Sequence, residues 1–289
     1  MDLYAPPSTN ETLEEARARN VRDALREDVG TSDPTALLVP HGTVTAHVRV
    51  REEAVLCGRD WFEACVRALD PAARIDWAYE EGADMVAGTS VCEITGDART
   101  LLTAERPALN FLQLLSGTAT TTRRFVHAIE GASPNPRGCG IFDTRKTVPG
   151  LRLAQKYAVR VGGGENQRLG LWAGFLVKEN HIAAAGGVAA ALDAAVALDA
   201  KLEIQIEVET LDQLREALAE GATNVLLDNF TLERMREAVA LTAGRAVLEA
   251  SGGVTFEYVR EVAATGVDRI SIGALTKDLR AVDFSMRIR

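Results

Sequence analysis

The chain has 289 residues and a formal net charge of −9 at pH 7, with 41 acidic side chains against 32 basic ones. A chain of this length can bury a large core, as one large domain or two moderate ones. The acidic balance argues against a general nucleic-acid binder, whose binding domain is normally basic. A local anion site is still compatible with this charge, because such a site needs only a few basic side chains.

The N-terminus and the cysteines indicate a cytoplasmic protein. Residues 1–7 lack the basic and apolar regions of a signal peptide, and no stretch is apolar enough to span a membrane. The cysteines have neither a CxxC pair nor zinc-finger spacing: Cys57, Cys65, Cys92 and Cys139. We therefore expect reduced, buried thiols in a cytoplasmic protein without membrane contacts.

The first part of the chain has the pattern of an α+β module. Residues 11–28 predict an amphipathic helix, and the alternation over residues 43–50 predicts a half-buried strand. Residues 99–130 are strongly helical, with an expected interruption at Ser116-Gly117-Thr118, where small residues let another backbone approach closely. Residues 284–289 alternate again and are expected to return to this module as a strand.

The second half contains six short apolar runs, each followed by a charged or small polar cluster and then by a helical pattern. The runs are Gly140–Phe142, Phe175–Val177, Ile204–Val208, Val225–Leu227, Ala246–Leu248 and Ile270–Ile272. Repeated strand–helix units imply a parallel sheet. A single charge at a strand end is ordinarily just solvated. Because six strands agree, we expect chemistry at the carboxyl-end rim of a β/α barrel.

Five cationic side chains fall in or near this predicted mouth: Arg106, Arg145, Lys146, Arg168 and Lys178. Arginine suits planar carboxylates because its rigid fork donates two parallel hydrogen bonds. The substrate is therefore expected to be carboxylated, phosphorylated or both.

Carboxylates and glycines complete the pattern. Glu207 and Asp228 would project from the ends of adjacent strands and are suited to hold Mg²⁺ or the hydroxyls of a ribose. Glycines at Gly162–Gly164, Ser251–Gly253 and Ile272–Ala274 leave backbone N–H groups available for a phosphate. A glycine pair is ordinarily just a turn, but the last two of these loops match the phosphate site typical of barrels.

Two side chains have alternative interpretations. Lys178 alone also suits a Schiff-base aldolase, although the several arginines make that reading less economical. His181 is compatible with a role in the site or with a purely structural hydrogen bond.

Several long motifs carry a family resemblance. Asp143–Arg152 reads DTRKTVPGLR, Gln155–Val159 reads QKYAV, and Gly162–Gly164 follows. The chain resembles the quinolinate phosphoribosyltransferases, also called carboxylating nicotinate-nucleotide pyrophosphorylases. The resemblance covers nearly the whole chain, with further matching stretches at Ala24–Gly30, Thr103–Asn110, Lys178–Ile182, Leu227–Phe230, Ser251–Gly253 and Ile272–Thr276.

The resemblance implies an α/β chain with an N-terminal α/β sandwich domain followed by an incomplete β/α barrel. We expect the sandwich at residues 1–124, rejoined by residues 277–289, and the barrel at residues 125–276. It also implies a homodimer in which Arg106 reaches the partner's site.

The implied reaction converts quinolinate and phosphoribosyl pyrophosphate to nicotinate mononucleotide, pyrophosphate and CO₂ with Mg²⁺, in NAD biosynthesis. Lys146, Lys178, Glu207 and Asp228 would be catalytic, and the two carboxylates would also hold the metal. The substrates would be bound by Arg106, Arg145, Lys146, Gln167, Arg168, Lys178, Ser251, Gly252, Gly253, Ser271, Gly273 and Ala274.

The chain departs from the family pattern just after the glycine run Gly162–Gly164. Gln167 stands where the family usually has a histidine, and it can donate a hydrogen bond but cannot carry positive charge. Ala173, after Trp172, stands where the family usually has an aspartate. These changes allow two alternatives: a paralogue that transfers phosphoribose to a different anionic heterocycle, and a binding protein without turnover.

Overall fold

The computed structural model describes residues 10–198 and 201–288. The N-terminal segment without a predicted signal peptide and residue 289 of the predicted last strand lie outside these residues. The described chain forms two compact units. The first contains the residues up to Thr120, Val148–Val161 and the segment from Arg280, and the second contains Thr121–Thr147 and Gly162–Leu279.

The elements follow one another with short connections. Up to the long helix they are α1 (Leu13–Val29), β1 (Thr43–Val50), β2 (Ala54–Val55), α2 (Arg59–Leu69), β3 (Arg74–Trp77), β4 (Asp84–Met85), β5 (Ser90–Asp97) and α3 (Ala98–Ala128). The rest are β6 (Gly140–Phe142), α4 (Arg152–Val161), β7 (Phe175–Val177), α5 (Glu179–Ala185), α6 (Val188–Leu198), β8 (Ile204–Val208), α7 (Leu211–Ala219), β9 (Asn224–Asp228), α8 (Leu232–Thr242), β10 (Val247–Ser251), α9 (Val259–Ala263), β11 (Arg269–Ser271), α10 (Ala274–Lys277) and β12 (Phe284–Ile288). Short 3₁₀ turns lie at Ala36–Leu38 and Leu171–Ala173.

The first unit is built around an antiparallel sheet of strand order β12-β1-β5-β3. Ala46, Val48 and Val50 of β1 are fully buried, so the alternating pattern places one face of the strand in the core. Val48 pairs with Met286 of β12. The C-terminal strand thus lies at an edge of the sheet that also contains the first strand.

Helix α3 is continuous through Ser116–Thr118, so the predicted interruption there is wrong. The small residues serve packing instead: the Ser116 hydroxyl accepts a hydrogen bond from the Cys57 N–H (3.0 Å). A Cβ atom on Gly117 would overlap the carbonyl oxygen of Arg280. The expected close approach of another backbone is present, and the helix tolerates a single glycine to allow it.

The second unit contains a six-stranded parallel sheet of order β6-β11-β10-β9-β8-β7. Its edge strands are β6 and β7, so the sheet is an open barrel. An isolated parallel bridge joins Phe142 of β6 to Glu165. The antiparallel first sheet followed by this open parallel sheet confirms the predicted fold class.

The cysteines are all free thiols. Cys57, Cys65 and Cys92 are buried, and Cys139 is half-buried. Burial raises the pKa of the Cys65 thiol to about 12, so this thiol stays protonated near neutral pH. The cysteines therefore act as small apolar groups.

No single helix within the described ranges is long and apolar enough to cross a membrane. Helices α5 and α6 reach the required composition only as a pair, and the chain bends by 93° between them. Ile182 of α5 and Leu192 of α6 are buried in the second unit.

Candidate active site

Two cavities adjoin at the carboxyl ends of the parallel strands. The first, of about 200 Å³, is lined by Thr144, Arg145, Lys146, Gln167, Arg168, Leu176, Lys178, Gln205, Glu207, Leu226, Asp228, Glu249, Ser251 and Ser271. The second, of about 520 Å³, is lined in part by Ser251–Phe256 and Ile272–Ala274. Both are lined by Thr144, Lys146, Ser251 and Ser271, so they form one continuous site.

The first cavity, which we call the cationic pocket, gathers basic side chains from segments distant in sequence. Arg168 is half-buried and donates a hydrogen bond to the Gly174 carbonyl (3.0 Å). Burial and the neighbouring charge of Arg145 lower the pKa of the Arg168 guanidinium. Lys146 is exposed at the boundary between the two cavities. Basic groups held this close favour a multiply anionic ligand, which relieves their mutual repulsion.

A lysine and two carboxylates also line the cationic pocket. The Lys178 ammonium lies 2.8 and 3.0 Å from the two carboxylate oxygens of Glu207. Burial raises the pKa of Glu207, Lys178 opposes this rise, and the charge of Asp228 adds to it. In the parts of the chain that the structure describes, no three metal-binding side chains cluster. Glu207 and Asp228 therefore offer at most a partial metal site.

Glycines shape the loops of the second cavity, which we call the glycine-lined cavity. Gly252 has a φ of +99°, and a Cβ there would lie 2.7 Å from the Asn229 side-chain carbon Cγ. A Cβ on Gly273 would lie 3.1 Å from the Lys146 side chain. The glycine run Gly162–Gly164, also predicted to suit a phosphate, lines neither cavity. It precedes the bridge at Glu165 and so positions the next residues of the chain.

Gln167 is held by backbone and side-chain contacts. Its N–H donates to the fully buried carboxylate of Asp143 (2.9 Å). Its side-chain amide Nε2 donates to a carboxylate oxygen of Glu249 and lies 3.4 Å from the side-chain oxygen of Gln205. The donors of Gln167 are thus directed at buried residues.

Other residues singled out in the sequence lie elsewhere. Arg106 is exposed on α3 in the first unit and belongs to the lining of neither cavity. Trp172 is 50% exposed in the turn Leu171–Ala173 and also lines neither cavity. The His181 ring accepts a hydrogen bond from the Lys178 N–H (2.9 Å) at the start of α5, which supports the structural interpretation of His181.

Three polar residues that line the cationic pocket were missed from the predicted site: Thr144, Gln205 and Glu249. The alternation of the strands could have found two of them. Gln205 is two residues from Glu207 in β8, and Glu249 is two residues from Ser251 in β10, so each pair shares one face of its strand. The strand predicted at Ala246–Leu248 ends too early, because β10 continues to Ser251 and thus contains Glu249, which is 0% exposed.

Comparison with known proteins assigns the chain to a family. The model of the quinolinate phosphoribosyl transferase C-terminal domain matches residues 118–287, and that of the N-terminal domain matches residues 32–116. The chain is 41% identical to the carboxylating nicotinate-nucleotide pyrophosphorylase of Mycobacterium leprae, over 94% of this chain and 97% of that protein. It is 38% identical to a probable enzyme of the same name from Bacillus subtilis, over 91% of this chain and 90% of that one. The structure of the nicotinate-nucleotide pyrophosphorylase from Francisella tularensis superposes with a TM-score of 0.92 at 42% identity, covering 99% of this chain and 100% of that chain. The chain therefore belongs to the quinolinate phosphoribosyl transferase family, which confirms the resemblance of its motifs.

Proposed function

We propose that this protein converts quinolinate and phosphoribosyl pyrophosphate to nicotinate mononucleotide, pyrophosphate and CO₂ in NAD biosynthesis. The observation that carries the proposal is the joining of a cationic pocket to a glycine-lined cavity, with Lys146 at their boundary. This arrangement suits two anionic substrates that must meet. Membership of the family supports the same reaction.

The two cavities suggest where each substrate binds. Arg145 and Arg168 would hold the two carboxylates of quinolinate in the cationic pocket. The loops at Gly252 and Gly273 would receive the 5′-phosphate of the ribose in the other cavity, because neither glycine has a side chain that covers its backbone N–H. Lys146 would then lie beside the pyrophosphate that joins the two regions. Ser251, Ser271, Gly253 and Ala274 line the same cavity and would complete the phosphate site.

The reaction forms a bond from the pyridine nitrogen to the anomeric carbon and breaks the bond from that carbon to pyrophosphate. Lysine charge at Lys146 and Lys178 would stabilise the negative charge of the leaving group. The carboxylates of Glu207 and Asp228 would stabilise the positive charge that develops on the ribose. Once the ring nitrogen is quaternary, it accepts the electron pair released as the adjacent carboxylate leaves as CO₂, and a proton replaces that carboxylate. The role of the protein is mainly to position the substrates.

We propose Mg²⁺ as the cofactor, held by Asp228 and Glu207 together with substrate oxygens. Two carboxylates without a third protein ligand fit this ion, which usually keeps waters and binds through one or two carboxylates plus phosphates. When bound, the ion would neutralise charge on the pyrophosphate. Lys178 already contacts Glu207 in the structure, so Asp228 is the more accessible of the two ligands.

We also propose a cytoplasmic homodimer in which Arg106 of one protomer serves the site of the other. Arg106 is exposed, with its guanidinium 3.8 Å from the Glu105 carboxylate, and lines neither cavity of its own chain. An exposed arginine of this kind is available to a second copy. Free, mostly buried thiols support a reducing compartment.

A paralogue with a different anionic heterocycle is the second candidate. It is favoured by one observation: Gln167 presents a neutral amide whose donors are directed at Glu249 and Gln205. A non-catalytic binding protein is a less economical reading, because the lysines and carboxylates of a reacting site are kept together in one pocket.

The test is a pyrophosphate-release assay with phosphoribosyl pyrophosphate, Mg²⁺ and quinolinate, run beside nicotinate and other pyridine carboxylates. Turnover with quinolinate alone is expected. Turnover only with another acid would establish the paralogue, and no turnover with any of them would contradict both enzyme readings.

A matched pair of lysine variants tests the site itself. Lys146→Ala should lower turnover on the order of a hundredfold, because it removes charge beside the leaving group. The exposed Lys201, which lines neither cavity, provides the control Lys201→Ala. Both variants should unfold at the wild-type temperature, and near-normal turnover of folded Lys146→Ala would contradict the proposed site.

A further inference from the structure

A buried polar cluster forms the floor of the cationic pocket. Glu249 of β10 is 0% exposed and Gln205 of β8 is 5% exposed, yet both line the cavity. One carboxylate oxygen of Glu249, Oε2, accepts hydrogen bonds from the side-chain amides of Gln205 (3.0 Å) and Gln167. Within the described residues, the other oxygen, Oε1, is buried without a hydrogen-bond partner. A single carboxylate oxygen thus joins two amide side chains from separate parts of the sequence.

These contacts fix which way the Gln167 amide faces. Its nitrogen has two hydrogens, and it contacts two acceptors, Glu249 Oε2 and the Gln205 oxygen. Its own side-chain oxygen accepts a hydrogen bond from the Arg168 N–H (3.2 Å). Turning the amide over would place its oxygen against the oxygens of Glu249 and Gln205 and its nitrogen against a backbone donor. The carboxylate therefore selects one of the two amide orientations.

We infer that Glu249 is a positioning residue that holds the Gln167 amide hydrogens away from the pyridine carboxylic acid that accepts the phosphoribose. Arg145 and Arg168 then hold the carboxylates of that substrate without Gln167. This inference rests on the proposed function. Gln167 lines the pocket, but its donors are engaged beneath it. Without Glu249, the Gln167 side chain loses its anchor beneath the pocket. It can then rotate into the pocket, where its amide oxygen meets the substrate carboxylates in part of the molecules. That contact is repulsive and weakens binding of the acid without touching the reacting atoms.

The kinetic test compares two replacements of the same side chain. Glu249→Leu removes both acceptor oxygens and is expected to raise KM for quinolinate roughly five- to tenfold, with kcat within about twofold of wild type. Glu249→Gln keeps one acceptor oxygen for the two amides and should restore KM. A fall in kcat with unchanged KM, or a failure of Glu249→Gln to restore KM, would overturn the inference.

A double-mutant cycle shows whether Glu249 acts through Gln167. In a Gln167→Leu background, Glu249→Leu should have little further effect on KM, because the amide that it releases is gone. In a Gln205→Leu background the effect of Glu249→Leu should persist. Equal and additive effects in both backgrounds would indicate a general loss of packing and would contradict the positioning role.

A measurement without turnover separates this inference from the proposed function. The side-chain amide hydrogens of Gln167 should exchange slowly with solvent in ¹⁵N-detected spectra of the wild type and faster in Glu249→Leu. Equal exchange rates would refute the role of Glu249 even if quinolinate is the substrate. Slow wild-type exchange without turnover of quinolinate would refute the proposed function and leave the orientation of Gln167 supported.

Discussion

Replacing Gly252 with alanine should disable the glycine-lined cavity while the rest of the second unit stays folded. The φ of Gly252 is +99°, outside the small left-handed region that other residues can reach. An added Cβ would lie 2.7 Å from Asn229 Cγ and 3.0 Å from the Asn229 backbone nitrogen. The Asn229 side chain would have to move, and its hydrogen bond to the Asp228 carboxylate (2.8 Å) would break.

The size of the effect follows from two contributions. Forcing a non-glycine residue into this backbone conformation costs about 1–3 kcal/mol, and losing the hydrogen bond costs about 1 kcal/mol. Gly253 is the matched control, because its φ of +62° lies in the left-handed region and its added Cβ would meet nothing within 4 Å. Gly253→Ala should therefore cost only about 1–2 kcal/mol.

The assay measures KM for phosphoribosyl pyrophosphate by pyrophosphate release, with thermal unfolding measured on the same samples. The midpoints of the two estimated costs differ by about 1.5 kcal/mol, and 1.4 kcal/mol corresponds to a factor of about ten. Gly252→Ala should therefore raise this KM about tenfold relative to Gly253→Ala. Equal KM values for the two folded variants would refute the reasoning, since the steric difference at Asn229 would then have no effect on the site.

Three further predictions concern the pocket and the first unit. Gln167→His should lower KM for quinolinate, because an imidazole can carry the positive charge that an amide cannot; steady-state kinetics checks this, and an unchanged or higher KM would point to a pocket adapted to another acid. Burial raises the pKa of Glu207 above its usual 4.5. The protonated side chain therefore stabilises the folded protein below pH 4.5, and this stabilisation is lost as the pH rises through the pKa of Glu207 in the folded protein. Lys178→Ala removes a cation that lowers this pKa. Because activity needs the Glu207 carboxylate ionised, the acid limb of the pH–rate profile of the residual activity should move to higher pH. An acid limb that does not move would exclude Glu207 as its source. Gly117→Ala should destabilise the protein in urea unfolding, because overlap with the Arg280 carbonyl costs about 1–3 kcal/mol. This cost outweighs a gain of at most about 1 kcal/mol in helix propensity. A higher urea midpoint for the variant would show that the backbone at Arg280 moves aside at little cost.

The sequence predicted the parts of the fold that depend on local pattern. All six strand segments of the open barrel were identified, because apolar runs followed by polar clusters recur with helices between them. The continuity of α3 through Ser116–Thr118 was not predicted. Small polar residues there resemble a break, and only the tertiary contacts of Ser116 and Gly117 explain them.

The site was predicted less completely, for a related reason. Charged residues are rarely fully buried, so Glu249 was placed beyond its strand instead of inside it. Its burial depends on amide donors at Gln167 and Gln205, which come from separate segments and cannot be matched from sequence spacing. The pairing of Lys178 with Glu207 joins the ends of two neighbouring strands. It likewise could not be predicted, because the spacing of residues in the sequence does not give the register of one strand against the next.

The pairing of Val48 with Met286 has a consequence for biosynthesis. The ribosome makes β1 early and β12 only after the entire second unit has been synthesised, so one edge of the first sheet stays unpaired for most of translation. Unpaired strand edges are sites of aggregation. In the parallel barrel, β7 to β11 pair in chain order, and β6 waits for β11. The barrel can therefore complete its sheet before the first sheet acquires its last strand, and the nascent protein would need protection for longest at β1.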